Sequence, residues 1–202
     1  TLLKTRKTVG VTGLGTFYKQ KLPGKYDAVQ HAFIPPSYTL AFTKDLTEQE
    51  LLGYILRVKE ALKGLNIPVG YVDAYYEFSH RPSITEVCDV ILSNCYPYWE
   101  GCSIDYSLAH MQQMFSIASH AGQGKKVIIT ETGWPSQGSS LGGAHSNAEN
   151  AMKYFINAQV WSAKDNIEMF YFSSFDESWK VGAEGDVGAY WGLWDKHEKL
   201  KF

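Results

Sequence analysis

The 202-residue chain is 45% hydrophobic and 20% charged, with a formal net charge of −2. That is enough apolar material for one sizeable core, and it lacks the low-hydrophobicity, high-charge signature of disorder. No excess of Lys and Arg marks a nucleic-acid binder, so no nucleic-acid partner is expected, and no apolar run reaches the ~18 residues of a membrane helix.

Charge is uneven along the chain. Residues 1–40 hold six basic residues (Lys4, Arg6, Lys7, Lys19, Lys21, Lys25) against one acid, Asp27. Apolar periodicity is weak there. The Gly-rich stretch 9–15 has neither dinucleotide-loop spacing nor the Gly-Lys-Ser/Thr ending of a phosphate loop, and it reads as turn glycine.

From residue 45 the pattern sharpens. Thr47 and Glu50 form a capping box, and Leu51, Leu52, Ile55, Val58, Leu62 and Leu65 recur at helical spacing, so a helix is predicted over 47–64, ending at Gly64. A strand follows at 68–76. Ser83 and Glu86 suggest a capped turn of helix, and 90–96 reads as a second strand. Residues 103–121 form a helix with Tyr106, Met111, Met114, Phe115 and Ala118 inward. Residues 126–131 are a third strand. Ser146 and Glu149 cap a helix over 147–164 that buries Tyr154, Phe155, Ala158 and Trp161, and 167–174 is a fourth strand. The alternation and the apolar strand runs indicate a parallel α/β domain, either doubly wound or part of a barrel.

Cys88, Cys95 and Cys102 are an odd set, which argues against a closed disulfide framework. Their spacing of seven suits no zinc motif, so they read as buried thiols. The six His residues (His31, His80, His110, His120, His145, His197) show no ligand spacing. No metal and no cofactor are expected.

Parallel α/β folds place chemistry at the carboxyl ends of strands. Here those ends read Asn94-Cys-Tyr-Pro-Tyr-Trp-Glu100, Glu131-Thr-Gly-Trp-Pro135 and Ser173-Ser-Phe-Asp-Glu-Ser-Trp-Lys180. Each combines carboxylate, aromatic and amide groups, the mixture that recognises a sugar: ring faces stack on C–H surfaces, and acids and amides bind hydroxyls. Glu131 is the sharpest signal, because a charge at the tip of an apolar strand is costly without a purpose. Tyr96, Tyr98, Trp99 and Trp134 are candidate platforms. Asp176 and Glu177 are candidate ligand contacts, with Lys180 as a partner for Glu177.

Val127-Ile-Ile-Thr-Glu-Thr-Gly-Trp-Pro-Ser136 resembles the nucleophile segment of glycoside hydrolase family 17, the β-1,3-glucanases. Asn94–Glu100 resembles that family's strand 6 end. Residues 172–180, followed by Gly188-Ala-Tyr-Trp-Gly-Leu193, resemble strand 8 and the closing segment, in the bacterial and fungal variant that includes β-glucan transglycosylases. The resemblance spans about residues 45–202. It implies a parallel (β/α) barrel of TIM type, of which strands 5–8 are present, a half barrel with an atypical leader. It further implies Glu131 as nucleophile of a retaining mechanism, with Glu177 and Lys180 where the family places polar groups supporting the cleft; together with the strand-end aromatics Tyr96, Trp99 and Trp134 these are the expected substrate-binding residues. The substrate would be β-1,3-glucan or its oligosaccharides, and the compartment extracellular, cell-envelope or periplasmic.

The family's general acid, a Glu in an Asn-Glu segment ending strand 4, has no counterpart. The residue at that place is about Thr39, and Glu77 is the one substitute at hand. Residues 1–44 read as an unrecognised basic leader or a degraded strand 4. Three activities are therefore open: endo-acting hydrolysis, transglycosylation, or carbohydrate binding by an inactive remnant. A half barrel has two open sheet edges, so self-association and slow glucan turnover are expected.

Overall fold

The computed structural model describes residues 46–181 and 184–202, together with the backbone of five strands lying between residues 8 and 41. Two compact units divide the chain, Thr1–Lys63 and Gly64–Phe202.

In the first unit, β1 (Thr8–Val11), β2 (Gly15–Leu22) and β5 (Ser37–Ala41) form an antiparallel sheet in the order β1-β2-β5, and β3 (Lys25–Asp27) pairs with β4 (Ala32–Ile34). The stretch weighed as a degraded strand 4 contains β5, which runs antiparallel to β2 with Leu22 opposite Ser37. Helix α1 (Glu48–Ala61) begins at the predicted capping box. The Thr47 amide donates to Glu50 Oε2 at 3.0 Å, and the Glu50 amide donates back to Thr47 Oγ1 at 3.3 Å. It ends at Leu62, two residues before the expected end at Gly64, and Leu65, counted in the apolar stripe, lies beyond it and is exposed.

The second unit is a parallel four-stranded sheet, β6 (Gly70–Ala74), β7 (Val90–Asn94), β8 (Lys126–Thr132) and β9 (Met169–Tyr171), in that spatial order. Short helices α2 (Glu77–His80) and α3 (Pro82–Val87) connect β6 to β7. Helices α4 (Ser107–Gly122) and α5 (Ala148–Lys164) connect the later strands, and a 3-10 turn occupies Gly185–Ala189. The expected parallel sheet and helix alternation are thus present. Ile91 and Ile129 are fully buried, and with Cys95, Met111, Met114, Tyr154, Ala158 and Trp161 they build the core between sheet and helices. Cys88, Cys95 and Cys102 are free thiols; Cys102 is only half-buried.

Several local expectations need correction. Tyr106 is 71% exposed, because it is the residue before α4 and not part of its inward stripe. Asn147, not Ser146, caps α5, accepting from the Asn150 amide at 2.8 Å, while Ser146 donates to the carbonyls of Gly138 and Ser139. Helix α3 starts at Pro82, the first-turn position where a missing N–H costs nothing, so Ser83 lies inside it and is not its cap. The fourth strand is three residues long because the chain beyond it turns to meet 191–194.

Candidate active site

β7 and β8 start in simple register, with Val90 opposite Lys126 and Ser93 opposite Ile129. The next pair is Asn94 with Glu131, so β8 carries one extra residue. A bulge of this kind re-aims a side chain. Ile129 points into the helix-side core, and by strict alternation Glu131 would too. After the bulge it is Thr132 that is buried, its hydroxyl 2.6 Å from the Tyr154 hydroxyl. Glu131 is released to the mouth of the sheet, where it lines a cleft of about 500 Å³ with Tyr96, Trp99, Phe172, Lys180, Glu184 and Trp191. The skipped residue, Thr130, donates to Asn94 Oδ1 at 2.7 Å and ties the two tips together.

Tyr96 Oη donates to Glu131 Oε2 at 3.1 Å. Burial, followed by the Glu131 charge and that hydrogen bond, holds the Tyr96 hydroxyl far above the ordinary range, so it stays a donor. The Tyr96 ring meets Phe172 and Trp191 edge-on, with centroids 6.5 and 5.5 Å away, and Trp99 lies 5.4 Å from Trp191. On the opposite side, Lys180 Nζ is 2.9 Å from Glu177 Oε2, 3.7 Å from Glu184 Oε1 and 4.2 Å above the Phe172 ring. One ammonium therefore serves two carboxylates at the wall of the cleft.

Gly133 permits the closeness of the two strand ends. A Cβ there would lie 2.0 Å from the Phe172 carbonyl oxygen, an overlap that only separation of the backbones could relieve. Gly188 similarly lies against the Lys180 carbonyl, where a Cβ would come within 1.9 Å.

Of the residues singled out in the sequence, Glu131, Tyr96, Trp99 and Lys180 converge on this cleft, and Glu177 adjoins it through Lys180. Trp134 does not face it. Trp134 is 1% exposed, its indole N–H donates to the His145 carbonyl at 3.0 Å, and its ring meets Tyr98 edge-on and Tyr154 at a tilt; Glu131, three residues earlier, is turned out by the bulge and Trp134 is turned in. Tyr98 is likewise core, its hydroxyl spent on the Ser139 carbonyl at 2.6 Å. Asp176 is structural: its Oδ1 accepts from Lys201 Nζ at 2.7 Å and from the Gly192 amide at 2.9 Å. Glu77 heads α2, where Arg81 Nε lies 2.9 Å from its Oε2, so it is engaged away from the cleft lining. Three lining residues escaped the sequence reading. Phe172 and Trp191 lie inside quoted segments but carried no individual signal, and Glu184 sits in a Gly-flanked loop with no pattern to mark it.

Comparison with known proteins decides the family. Residues 39–192 match the BtgE/BtgC glycoside hydrolase domain. The chain belongs to this family. The BtgE/BtgC domain here is 30% identical over 185 residues to a glucan 1,3-beta-glucosidase of Candida albicans, covering 80% of this chain and 58% of that protein. A putative glucan endo-1,3-beta-glucosidase of Aspergillus niger is 32% identical over 175 residues, covering 76% of this chain and 25% of that one. The crystal structure of a glycoside hydrolase family 17 beta-1,3-glucanosyltransferase from Rhizomucor miehei superposes with a TM-score of 0.71 at 33% identity, over 77% of this chain and 56% of that one. The family 17 resemblance and the barrel-type α/β fold therefore hold, and the chain spans a little over half the length of the Candida and Rhizomucor proteins. Residues 1–50 are similar to a second family, the CCDC81-like prokaryotic HU domain 1.

Proposed function

We propose that residues 45–202 are the strand 5–8 half of a retaining glycosidase domain acting on β-1,3-glucan, by hydrolysis or by transfer to another sugar, with Glu131 as nucleophile. Residues 1–44 are then a segment separate from the barrel. The observation that carries the reading is the bulge in β8, which turns one carboxylate out of an apolar strand into an aromatic cleft and gives it the Tyr96 hydroxyl as a fixed donor.

In this reading a glucosyl ring stacks on the aromatic rim with its anomeric carbon over Glu131. The carboxylate attacks that carbon, a C–O bond to Glu131 forms as the glycosidic bond breaks, and the leaving oxygen takes a proton from solvent water. Water or an acceptor hydroxyl then displaces Glu131, releasing its carboxylate, and gives up its own proton to solvent. Tyr96 restrains the carboxylate, and Lys180 balances the charge of Glu177 and Glu184 beside the sugar. The second carboxyl of a retaining pair stands about 5–5.5 Å from the nucleophile. Among the described residues, the other carboxylate lining the cleft is Glu184, and Lys180 engages it. A free acid is thus missing from the lining, which also favours a second reading: a carbohydrate-binding half domain that turns over slowly.

A fluorinated glucoside that traps the glycosyl-enzyme tests the nucleophile on the intact chain. Label on the peptide containing Glu131, abolished by Glu131→Gln, supports it; label that survives the substitution refutes it. Laminari-oligosaccharide binding without trapping or reducing-sugar release favours the binding reading.

A further inference from the structure

Among the described residues, one buried side-chain polar atom has no hydrogen-bond partner, the indole Nε1 of Trp191. A buried N–H left unpaired costs stability, and native structures keep few of them. Trp191 is 2% exposed and lines the cleft beside Glu131. Its main chain is pinned on both sides. The Ser136 amide donates to the Tyr190 carbonyl at 2.9 Å, and the Ser173 amide donates to the Trp191 carbonyl at 3.1 Å. The Cε3 edge of the indole lies against Gly133, where a Cβ would come within 3.2 Å, so Nε1, on the opposite edge, points away from β8. Four rings surround the indole, those of Tyr96, Tyr98, Trp99 and Phe172, with centroids 5.5, 5.6, 5.4 and 6.1 Å away. Both phenols among them are spent, Tyr96 on Glu131 and Tyr98 on the Ser139 carbonyl. A resident water would need about two to four polar partners, which these rings do not offer. All of these residues belong to the Gly64–Phe202 unit, so the enclosure of the donor is that unit's own.

An acceptor that arrives with a ligand would satisfy this donor. We propose that the Trp191 indole N–H binds a hydroxyl oxygen of a neutral sugar, and that Trp99 covers it until the ligand enters. Trp99 is the ring of the four that is free to move. It is 40% exposed, whereas Tyr98 is 1% exposed, Tyr96 is held by Glu131, and Phe172 lies 4.2 Å under the Lys180 ammonium. Trp99 meets Trp191 at a tilt of 43°. Turning Trp99 off the indole and onto the C–H face of a sugar makes the platform and uncovers the donor in one movement. The free donor has no water to give up, so the bond it forms gains more than an exposed N–H would. The sugar is neutral because the lining sets two carboxylates, Glu131 and Glu184, against one ammonium, Lys180, and a uronate would be repelled. The inference rests on the sugar-binding reading of the cleft, and it holds whether or not Glu131 is the nucleophile.

Laminaritriose and its monodeoxy analogues, titrated into the full chain carrying Glu131→Gln so that no covalent adduct forms, test it. On saturation with laminaritriose the Trp191 indole N–H signal in a proton–nitrogen NMR spectrum is expected to move downfield. Its exchange with water, slow in the free chain, is expected to quicken when Trp99→Ala is added. Adding Trp191→Phe is expected to weaken laminaritriose binding about tenfold, the scale of one hydrogen bond. One deoxy analogue should bind about tenfold more weakly where Trp191 is present and no more weakly than laminaritriose in Trp191→Phe, since both deletions remove the same contact. The NMR signal is read with Trp191 in place, so it decides the matter if Trp191→Phe fails to fold. An indole signal that stays fixed at saturation overturns the donor role. A Trp191→Phe loss that every analogue shows in full makes Trp191 a packing residue and also overturns it. Unchanged exchange in Trp99→Ala overturns the cover. Absence of laminaritriose binding overturns the inference together with the sugar reading. Fluoroglucoside label on Glu131 of the unsubstituted chain, with the Trp191 signal unmoved by laminaritriose, overturns the inference alone.

Discussion

Tyr96 and Glu131, 35 residues apart, meet at neighbouring strand tips with the phenol donating to the carboxylate at 3.1 Å. Neither residue has that geometry locally. It requires the parallel pairing of β7 with β8 and the extra residue that turns Glu131 outward.

Tyr96→Phe isolates this hydrogen bond, because the ring contacts with Phe172 and Trp191 remain. Turnover of β-1,3-glucan, or trapping by the fluorinated glucoside where turnover is slow, is expected to fall by about tenfold, the scale of one hydrogen bond to a charged group. Laminari-oligosaccharide affinity should stay within about twofold. Equal losses in binding and reaction would mean that Tyr96 acts as a platform.

Trp99 and Trp134 separate rim from core. Trp99→Ala is expected to weaken laminari-oligosaccharide binding by about 1–2 kcal/mol with little change in stability, since the ring is partly exposed at the cleft. Trp134→Ala empties a fully packed site and should cost about 3–5 kcal/mol in urea unfolding. Titration calorimetry paired with denaturant curves reads both effects, and the opposite pattern would reverse the assignments.

Lys201 and Asp176 form a buried ion pair, with side-chain exposures of 10% and 8% at 2.7 Å. Lys201 also donates to Ser136 Oγ at 2.7 Å, so it clamps the segments after β8 and β9. Lys201→Met leaves the Asp176 charge buried without its cation, and about 3–5 kcal/mol of stability should be lost. Adding Asp176→Leu should restore much of it. A loss below about 1 kcal/mol in the single variant would show the pair to be solvent-screened.

Alkaline pH should unfold the chain. Burial leads the causes that raise Tyr75 from 10.0 to about 12 and Cys95 from 9.0 to about 12, and it raises Tyr96, Tyr154 and Tyr171 above 10.0 as well. Each group holds its proton more tightly folded than unfolded. The stability linked to them is therefore fully present below about pH 9, falls as pH rises through 9–12, and does not return at higher pH. Thermal midpoints between pH 8 and 11 check the sign; a rising midpoint would contradict it.

Gly133→Ala forces the Phe172 carbonyl away from β8. Soluble expression or thermal midpoint should drop well below that of Gly53→Ala, where a Cβ would meet only the end of Arg57 at 3.8 Å. Equal behaviour of the two variants would mean that β9 can shift without cost.

Much of this was written in local sequence. The Thr47–Glu50 capping box, the helical stripes and the apolar strand runs depend on neighbours within a few residues, so the parallel α/β order and the strand-end position of Glu131 are legible in the sequence alone. What only tertiary structure decided was direction. A side-chain period of two predicts that Glu131 shares the face of Ile129, and one extra residue in β8 reverses it, because the backbones of β7 and β9 set the register from outside the segment. The same reversal sent Trp134 into the core beside Tyr154, though its sequence position next to Glu131 suggested the cleft. Glu184 joined the site and Asp176 left it for an equivalent reason: their partners, Lys180 and Lys201, are 4 and 25 residues away, and which carboxylate each ammonium reaches depends on how the loops after β9 close on one another.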